Sequence, residues 1–274
     1  MYVGDCCSHL LAETAIRHYF TLHPYVIPPN DAVLWRYMDL AKLLSLLNDS
    51  ALHFVRADRM DDPFESAKGV LSRKPKWDEY YLSYFEYVVR NPPPGHDCKL
   101  SDDEVMEQAR KLLEQTSKSG EVARKSTFIS CWHESDHESE ALWYRYGGGD
   151  TCRAIAIRTK FVNLRQALGD DPYLPIGRVS YIDIDRQYAE INGAFFRKRL
   201  AFQHEREVRA IVNVYQNPPE YVFSRPVDVN ILIDDIVVSP LAPNWYEDVV
   251  RDSVSRYNFA KGVKRSRLAD QPFY

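Results

Sequence analysis

The chain has 274 residues, 45% of them hydrophobic and 27% charged, which excludes collagen-like and wholly disordered classes and describes an ordinary globular protein. A chain of this length buries roughly three quarters of its extended surface, so it can build its own core without staples. Thirty-five basic against 39 acidic residues leave a formal charge of −4, which argues against dedicated duplex-DNA binding, whose affinity rests on a basic surface. No run approaches the ~18 apolar residues of a membrane helix, so no membrane partner is expected. Five cysteines, Cys6, Cys7, Cys98, Cys131 and Cys152, are an odd number without a C-x-x-C pair. They fit neither a disulfide framework nor a structural zinc site, and the expected location is a reducing cytoplasm.

Taken in chain order, residues 1–30 form an N-terminal extension, and 31–260 form a single domain. Residues 34–38 predict a short strand, and Asp39 caps a helix with leucines 40, 43, 44 and 47 on one stripe. Residues 51–55 predict a second strand, entering the loop that holds Asp61-Asp62-Pro63-Phe64-Glu65. A helical insert near 72–122 follows, with an aromatic-rich helix over 77–90 and a proline break at Asn91-Pro92-Pro93-Pro94-Gly95. A second helix opens on the capping box Ser101–Glu104 and stops before Gly120. From there the pattern turns to strands at 126–132, 153–157, 178–184, 207–215 and 229–238, rich in Ile and Val, with helices near 186–202 and 243–257. The class is therefore α+β, a helical first half packed on a mainly antiparallel sheet, whole or split, formed by the second half. Residues 261–274 make a basic tail with Lys261, Lys264, Arg265 and Arg267.

Four segments carry candidate chemistry. His133-Glu134-Ser135-Asp136-His137 matches H-E-x-x-H, but it follows a strand, and its two histidines straddle the caps Ser135-Asp136. A solvated acidic loop is the better reading, and no metal is expected there. Tyr146-Gly147-Gly148-Gly149-Asp150 reads as a turn before a strand, without a phosphate-binding signature. In Asp62-Pro63-Phe64-Glu65 the proline stiffens a loop with a carboxylate at each end, which either binds substrate or pairs with Arg56 or Arg59. In Glu205-Arg206-Glu207-Val208-Arg209, strand alternation puts Glu205, Glu207 and Arg209 on one face. Two like charges so placed need a cation between them, and residues 197–199 are candidate partners.

In their order and spacing these pieces resemble domain of unknown function family 2971, a mainly bacterial family. The matching motifs are Leu34-Trp35-Arg36-Tyr37, Asp62-Pro63-Phe64-Glu65, Cys131-Trp132-His133, Trp143-Tyr144-Arg145-Tyr146 and Glu205-Arg206-Glu207-Val208-Arg209. His133 stands where that family often has serine. The chain is also similar to ADP-ribosyltransferases of the Arg–Ser–Glu kind, through Arg36, the strand Ser126 to Ser130, and Glu205-x-Glu207. That resemblance implies NAD as a substrate, with Arg36 on its phosphates and Ser130 or His133 orienting the nicotinamide ribose. It further implies Glu207 stabilising the oxocarbenium-like state and Glu205 positioning or deprotonating an unknown acceptor, in a toxin or phage-defence setting. Tyr37, Asp62, Glu65, Trp143 and Arg209 are further candidate pocket residues.

Three readings follow. An NAD-consuming transferase with a nucleotide-like small-molecule partner requires Arg36, Ser130 and Glu207 to converge on one cleft. A carboxylate-based hydrolase or nuclease, with or without a divalent metal, requires Asp62 and Glu65 close to Glu205 or Glu207. A non-catalytic binding module would use aromatic residues and the basic tail.

Overall fold

The computed structural model describes residues 25–93, 99–147, 150–187, 193–257 and 259–274. Most of the expected N-terminal extension, part of the proline break, Gly148–Gly149 of the glycine turn, and residues 188–192 of the expected helix lie outside them.

The first strand, β1 (Val33–Asp39), is buried on both faces. Leu34 and Met38 enter the main apolar core, while Trp35 and Tyr37 enter a second one. Asp39 accepts a hydrogen bond from the Lys42 backbone N–H at 2.8 Å and so starts α1 (Leu40–Asp49). Leu43, Leu46 and Leu47 of α1 are buried, and Ser50 in the left-handed region turns the chain into β2 (Ala51–Arg56). The helical insert consists of α2 (Lys74–Arg90) and α3 (Asp102–Ser126), packed on each other. The capping box at Ser101–Glu104 is present. Contrary to expectation, α3 does not stop before Gly120. It runs on to Ser126, and β3 (Thr127–Glu134) begins there. One glycine costs a helix only about 1 kcal/mol, less than a break beside the strand junction would cost in unmade backbone bonds.

After β3 come α4 (Glu140–Tyr146), β4 (Ala154–Lys160), α5 (Phe161–Ala167), β5 (Ile176–Arg178) and β6 (Ser180–Ile182). Then follow β7 (Arg197–Arg199), β8 (Glu207–Asn213), β9 (Val222–Pro226), the single turn α6 (Val229–Leu232), β10 (Asp235–Val238), α7 (Asn244–Ser255) and β11 (Val263–Arg265). The main sheet runs β11-β10-β4-β1-β3-β2-β9, with β8 paired to β3 and β5 to β8. It is antiparallel except for β10–β11. A separate parallel ribbon joins β6 to β7.

The expectation of an α+β fold on a mainly antiparallel sheet holds, and of the two alternatives, whole or split, the main sheet is split. One edge of β3 pairs with β8 along Thr127 to His133. The other edge is shared. Its end pairs with β1 at Leu34↔Glu134 and Trp35↔His133, and its start pairs with β2 at Val55↔Ile129 and Arg56↔Phe128. Between these pairings β1 and β2 part. Helices α1, α5, α6 and α7 cover one face of the sheet with the main core, around Phe54, Phe128, Trp132 and Ile157. The other face carries α4, through Leu142 and Trp143, and the segment of Phe196 against Ile129 and Ile211.

Three further elements depart from expectation for local reasons. The strand expected over 178–184 breaks at Val179, whose N–H donates to the Glu207 carbonyl and sends β6 into the separate ribbon. The helix expected over 186–202 is replaced, where described, by 3-10 turns flanking β7, because Lys198 turns inward onto acidic partners. The strand expected over 229–238 starts as a helical turn, because the Asp228 side chain caps the N–H groups of Asn230 and Ile231. The basic tail is partly built into the sheet as β11, with Lys261 and Lys264 paired to Asp234 and Asp235.

A Cβ added at Gly120 would meet only the flexible end of Lys68, at 3.6 Å. Gly120→Ala is therefore expected to stabilise the protein by about 0.5–1 kcal/mol, seen as a rise in Tm. No change or a fall would show that α3 is not continuous there.

Candidate functional site

The chemistry gathers on the face of the sheet opposite the main core, where β8 begins. Pleating decides which residues reach it. Across the antiparallel pair β3–β8, His133 lies opposite Glu207 and Cys131 opposite Arg209, so these four share a face. Trp35 lies opposite His133, which brings Tyr37 to the same side; its ring centroid is 6.4 Å from that of His133 and 4.9 Å from that of Trp143. Ser130 lies opposite Ala210 and points the other way.

Arg209 is completely buried and spends all five N–H donors inside the protein. Its Nε donates to Glu207 at 2.6 Å, and its Nη1 donates to Glu65 at 2.5 Å and to the Phe195 carbonyl at 2.6 Å. Its Nη2 donates to Glu65 at 2.8 Å and to Glu207 at 3.2 Å. Lys198 closes the other side, with Nζ 2.5 Å from Glu205 and 3.1 Å from Glu207, and 4.9 Å from the centroid of the Phe202 ring. Glu205 also accepts from the Tyr146 hydroxyl at 2.9 Å and pairs with Arg145 at 3.2 Å. Three carboxylates, Glu65, Glu205 and Glu207, thus face three cations, Arg209, Lys198 and Arg145. The cluster is charge-balanced, as buried charge requires.

This balance sets the protonation states. Burial alone would raise the Glu207 carboxyl, but Arg209 and Lys198 overcome it and hold it down at about 2. Burial would lower Lys198, yet Glu207 and Glu205 raise it. The His133 Nδ1 lies 2.6 Å from the Glu205 carbonyl, which can only accept, so Nδ1 carries the proton and Nε2 is left as an acceptor. Burial lowers the His133 pKa and keeps the ring neutral. The Tyr181 hydroxyl accepts from the Glu207 N–H at 2.8 Å, fixing the backbone at the head of β8.

Two motifs far apart in sequence meet here. In Asp62-Pro63-Phe64-Glu65 the Asp62 side chain accepts from the Phe64 N–H at 3.0 Å, and the Glu65 N–H donates to the Asp62 carbonyl at 2.8 Å, closing a tight turn. The turn delivers Glu65 to Arg209 and Asp62 to Arg199, at 2.7 Å. The partners expected for these carboxylates are taken elsewhere: Arg56 binds Asp58, and Arg59 lies near Glu220. Arg206 has a φ of 40° and separates Glu205, in a 3-10 turn, from Glu207 in β8. That left-handed residue lets both carboxylates reach the same Lys198.

Of the residues singled out from the sequence, Glu205, Glu207, His133, Tyr37, Asp62, Glu65, Trp143 and Arg209 come together around this face. Arg36 and Ser130 do not. Arg36 sits in the split of the sheet on the core side, donating to the Ser130 hydroxyl at 2.8 Å and the His53 carbonyl at 3.1 Å, with its guanidinium 5.8 Å from the Trp132 ring centroid. The expected convergence of Arg36, Ser130 and Glu207 is therefore corrected. Successive residues of a strand point to opposite faces, and His133 and Tyr37, not Ser130 and Arg36, share a side with Glu207. Tyr181 and Phe202 join the site without any sequence signal beyond being aromatic. Glu65 reaches Glu207 only through Arg209, so the lone pairs a divalent ion would need are committed to N–H donors. Among the described residues, no group of three or more His, Cys, Asp or Glu side chains is arranged to hold a metal ion.

No protein-family model matches the chain, and no curated protein matches it. Among solved structures it is similar to Thermus sp. 2.9 DarT in complex with carba-NAD+, at 11% identity and a TM-score of 0.37, over 88% of this chain and 97% of that one. It is similar to Thermus sp. 2.9 DarT in complex with NAD+ at 10% identity and the same TM-score, over 87% and 96%. A likeness of this size says nothing about activity.

Two outcomes are expected. Arg206→Gly relieves the left-handed backbone and should stabilise the protein by up to about 1 kcal/mol; a loss measured by chemical unfolding would show that the Arg206 side chain matters more than its conformation. Glu207 sits below the 4.5 of an unperturbed glutamate, so it contributes stability that is complete above about pH 5 and disappears as pH falls toward 2. Glu207→Gln should lower stability at pH 7 and flatten its dependence between pH 5 and 2, whereas an unchanged acid slope would contradict the ionic role.

Proposed function

We propose that this chain is an NAD-consuming, ADP-ribosyltransferase-like enzyme whose substrate lies over the head of β8, served by Tyr37, His133 and Glu207 in place of the Arg36–Ser130–Glu207 convergence that the sequence reading required and that is not found. The observation that carries the reading is the shared face of Tyr37, His133 and Glu207 on the neighbouring strands β1, β3 and β8, with Glu207 kept ionised while buried. In the proposed step the bond between the nicotinamide nitrogen and ribose C1′ breaks, and its electron pair leaves with nicotinamide. Positive charge develops on the ribose, opposite the fixed Glu207 carboxylate. An acceptor atom then gives an electron pair to C1′ and its proton to Glu205. The free Nε2 of His133 accepts a hydrogen bond from a ribose hydroxyl, the role that the sequence resemblance left between Ser130 and His133.

Lys198 lies where the developing cation would be neutralised, so the reading requires it to withdraw from Glu205 and Glu207. The ribbon that carries it pairs through only three residues of β6 and three of β7. Arg36 and Ser130 take no part in this scheme, because they lie on the other face.

The test is nicotinamide release from NAD by purified protein. Glu207→Gln should reduce release by about 100-fold or more, and Arg36→Lys should leave kcat/KM within about threefold, each with folding verified by thermal unfolding. Release that survives Glu207→Gln in a folded protein sinks the assignment. Loss of release in a folded Arg36→Lys variant would move the substrate to the opposite face.

A further inference from the structure

The turn Asp62-Pro63-Phe64-Glu65 delivers two carboxylates to one place, and only one of them is fully used. Both oxygens of Glu65 bind Arg209. In Asp62, Oδ1 takes two bonds, from the Phe64 N–H at 3.0 Å and from Arg199 Nη2 at 2.7 Å. Its Oδ2 is buried and takes none among the described residues. The partner is equally incomplete, since Arg199 Nε is buried without an acceptor among the described residues. Ser66, next in the turn and held at a φ of 61°, has a buried hydroxyl that likewise finds no partner among the described residues. Native proteins leave few such atoms, and each calls for a missing partner. Asp62 is 8% exposed, which makes an unpartnered carboxylate oxygen there costly.

The missing partner has a definable chemistry. Asp62 Oδ2 is an acceptor and Arg199 Nε a donor on the same ion pair. A metal ion would satisfy the first and be repelled by the second, and a phosphate the reverse. A hydroxyl group satisfies both, giving its proton to Asp62 and accepting from Arg199. Phe64 and Phe202 lie under the Arg199 guanidinium, 4.5 and 5.2 Å from ring centroid to Cζ, and fix its plane. The Arg199 side chain is one third exposed while its Nε and Asp62 Oδ2 are themselves buried, so a ligand reaches them by displacing that side chain. The Phe202 ring lies against both Arg199 and Lys198, and Lys198 touches Glu205 and Glu207, so the Phe202 ring links a ligand held here to the carboxylate pair.

We infer that Asp62 and Arg199, with Ser66, form a hydroxyl-binding clamp that takes a sugar with free vicinal hydroxyls, and that this clamp selects ribose over deoxyribose. If the transferase reading is right, the sugar is a ribose of NAD; the clamp itself does not depend on that reading.

The experiment uses two probes on the full chain, NAD and methyl β-D-ribofuranoside, each beside its 2′-deoxy counterpart (2-deoxy for the glycoside). Saturation-transfer NMR follows the glycosides and calorimetry follows NAD. Wild type should bind each ribose form at least tenfold more tightly than the deoxy form. Asp62→Asn, which can keep the bond from Phe64, and Arg199→Lys, which keeps the positive charge but has no Nε, should each bring that ratio within about twofold of one. Thermal unfolding checks both folds, and Ser66→Ala serves as the third variant should either fail to fold. A ratio near one in wild type, or one unchanged in the folded variants, overturns the clamp and leaves a bound water as the partner of these atoms. Ribofuranoside selection without NAD binding supports the clamp and overturns the proposed function alone. NAD binding with an unaltered ratio in the variants does the opposite.

Discussion

Arg209 is the interaction around which the rest of this face is arranged. A guanidinium with no exposed surface must have every donor satisfied, and five acceptors on Glu65, Glu207 and the Phe195 carbonyl do so. Those acceptors come from three stretches of chain, the farthest of them 144 residues from Arg209. Replacing such a network by well-packed apolar residues is often neutral or stabilising, whereas removing one partner typically costs about 3–5 kcal/mol. Its value is therefore specificity. The loop of Glu65, the segment of Phe195 and the head of β8 can dock together in only one way that leaves no charge alone.

Other features follow from that constraint. Glu207 already faces Arg209, so the second carboxylate, Glu205, needs its own cation. Lys198 supplies it from a ribbon outside the main sheet, and the left-handed backbone at Arg206 brings Glu205 within reach. The neutral cluster holds an ionised carboxylate in a setting that would otherwise protonate it. That combination, a fixed charge with little water around it, is what stabilises a transient cation. The same docking leaves Asp62 and Arg199 half satisfied at the rim, which is a place for a ligand rather than for more protein.

Much of this was legible in the sequence, and the failures have a common cause. The pairing of Glu207 with Arg209 on one face follows from alternation, and the need for a cation near 197–199 follows from like-charge repulsion; Lys198 fills it. The capping box at Ser101 and the cap at Asp39 are local signals and were readable as such. Arg36 shows what was not. Motif order along a chain carries no information about which face of a strand a residue occupies, and a shift of one residue reverses it. Arg36 and Ser130 fell on the core side, and Tyr37 and His133 took the positions facing Glu207. The bond from Glu65 to Arg209 was unreadable for a related reason. Both motifs were visible, but nothing in either names the other as its partner. Over its described residues, the helix expected at 186–202 gave way to β7 and 3-10 turns because a tertiary ion pair, Lys198 with Glu205, outweighed local propensity.

The claim on which this account rests is that Glu65 and Arg209 act as one buried unit that joins the Asp62–Glu65 turn to β8. A double-mutant cycle with Glu65→Gln, Arg209→Met and the double variant, followed by chemical unfolding at pH 7, tests it directly. The account predicts that the double variant is less destabilised than the sum of the two single variants by at least about 1.5 kcal/mol. Additivity within about 0.5 kcal/mol would contradict it.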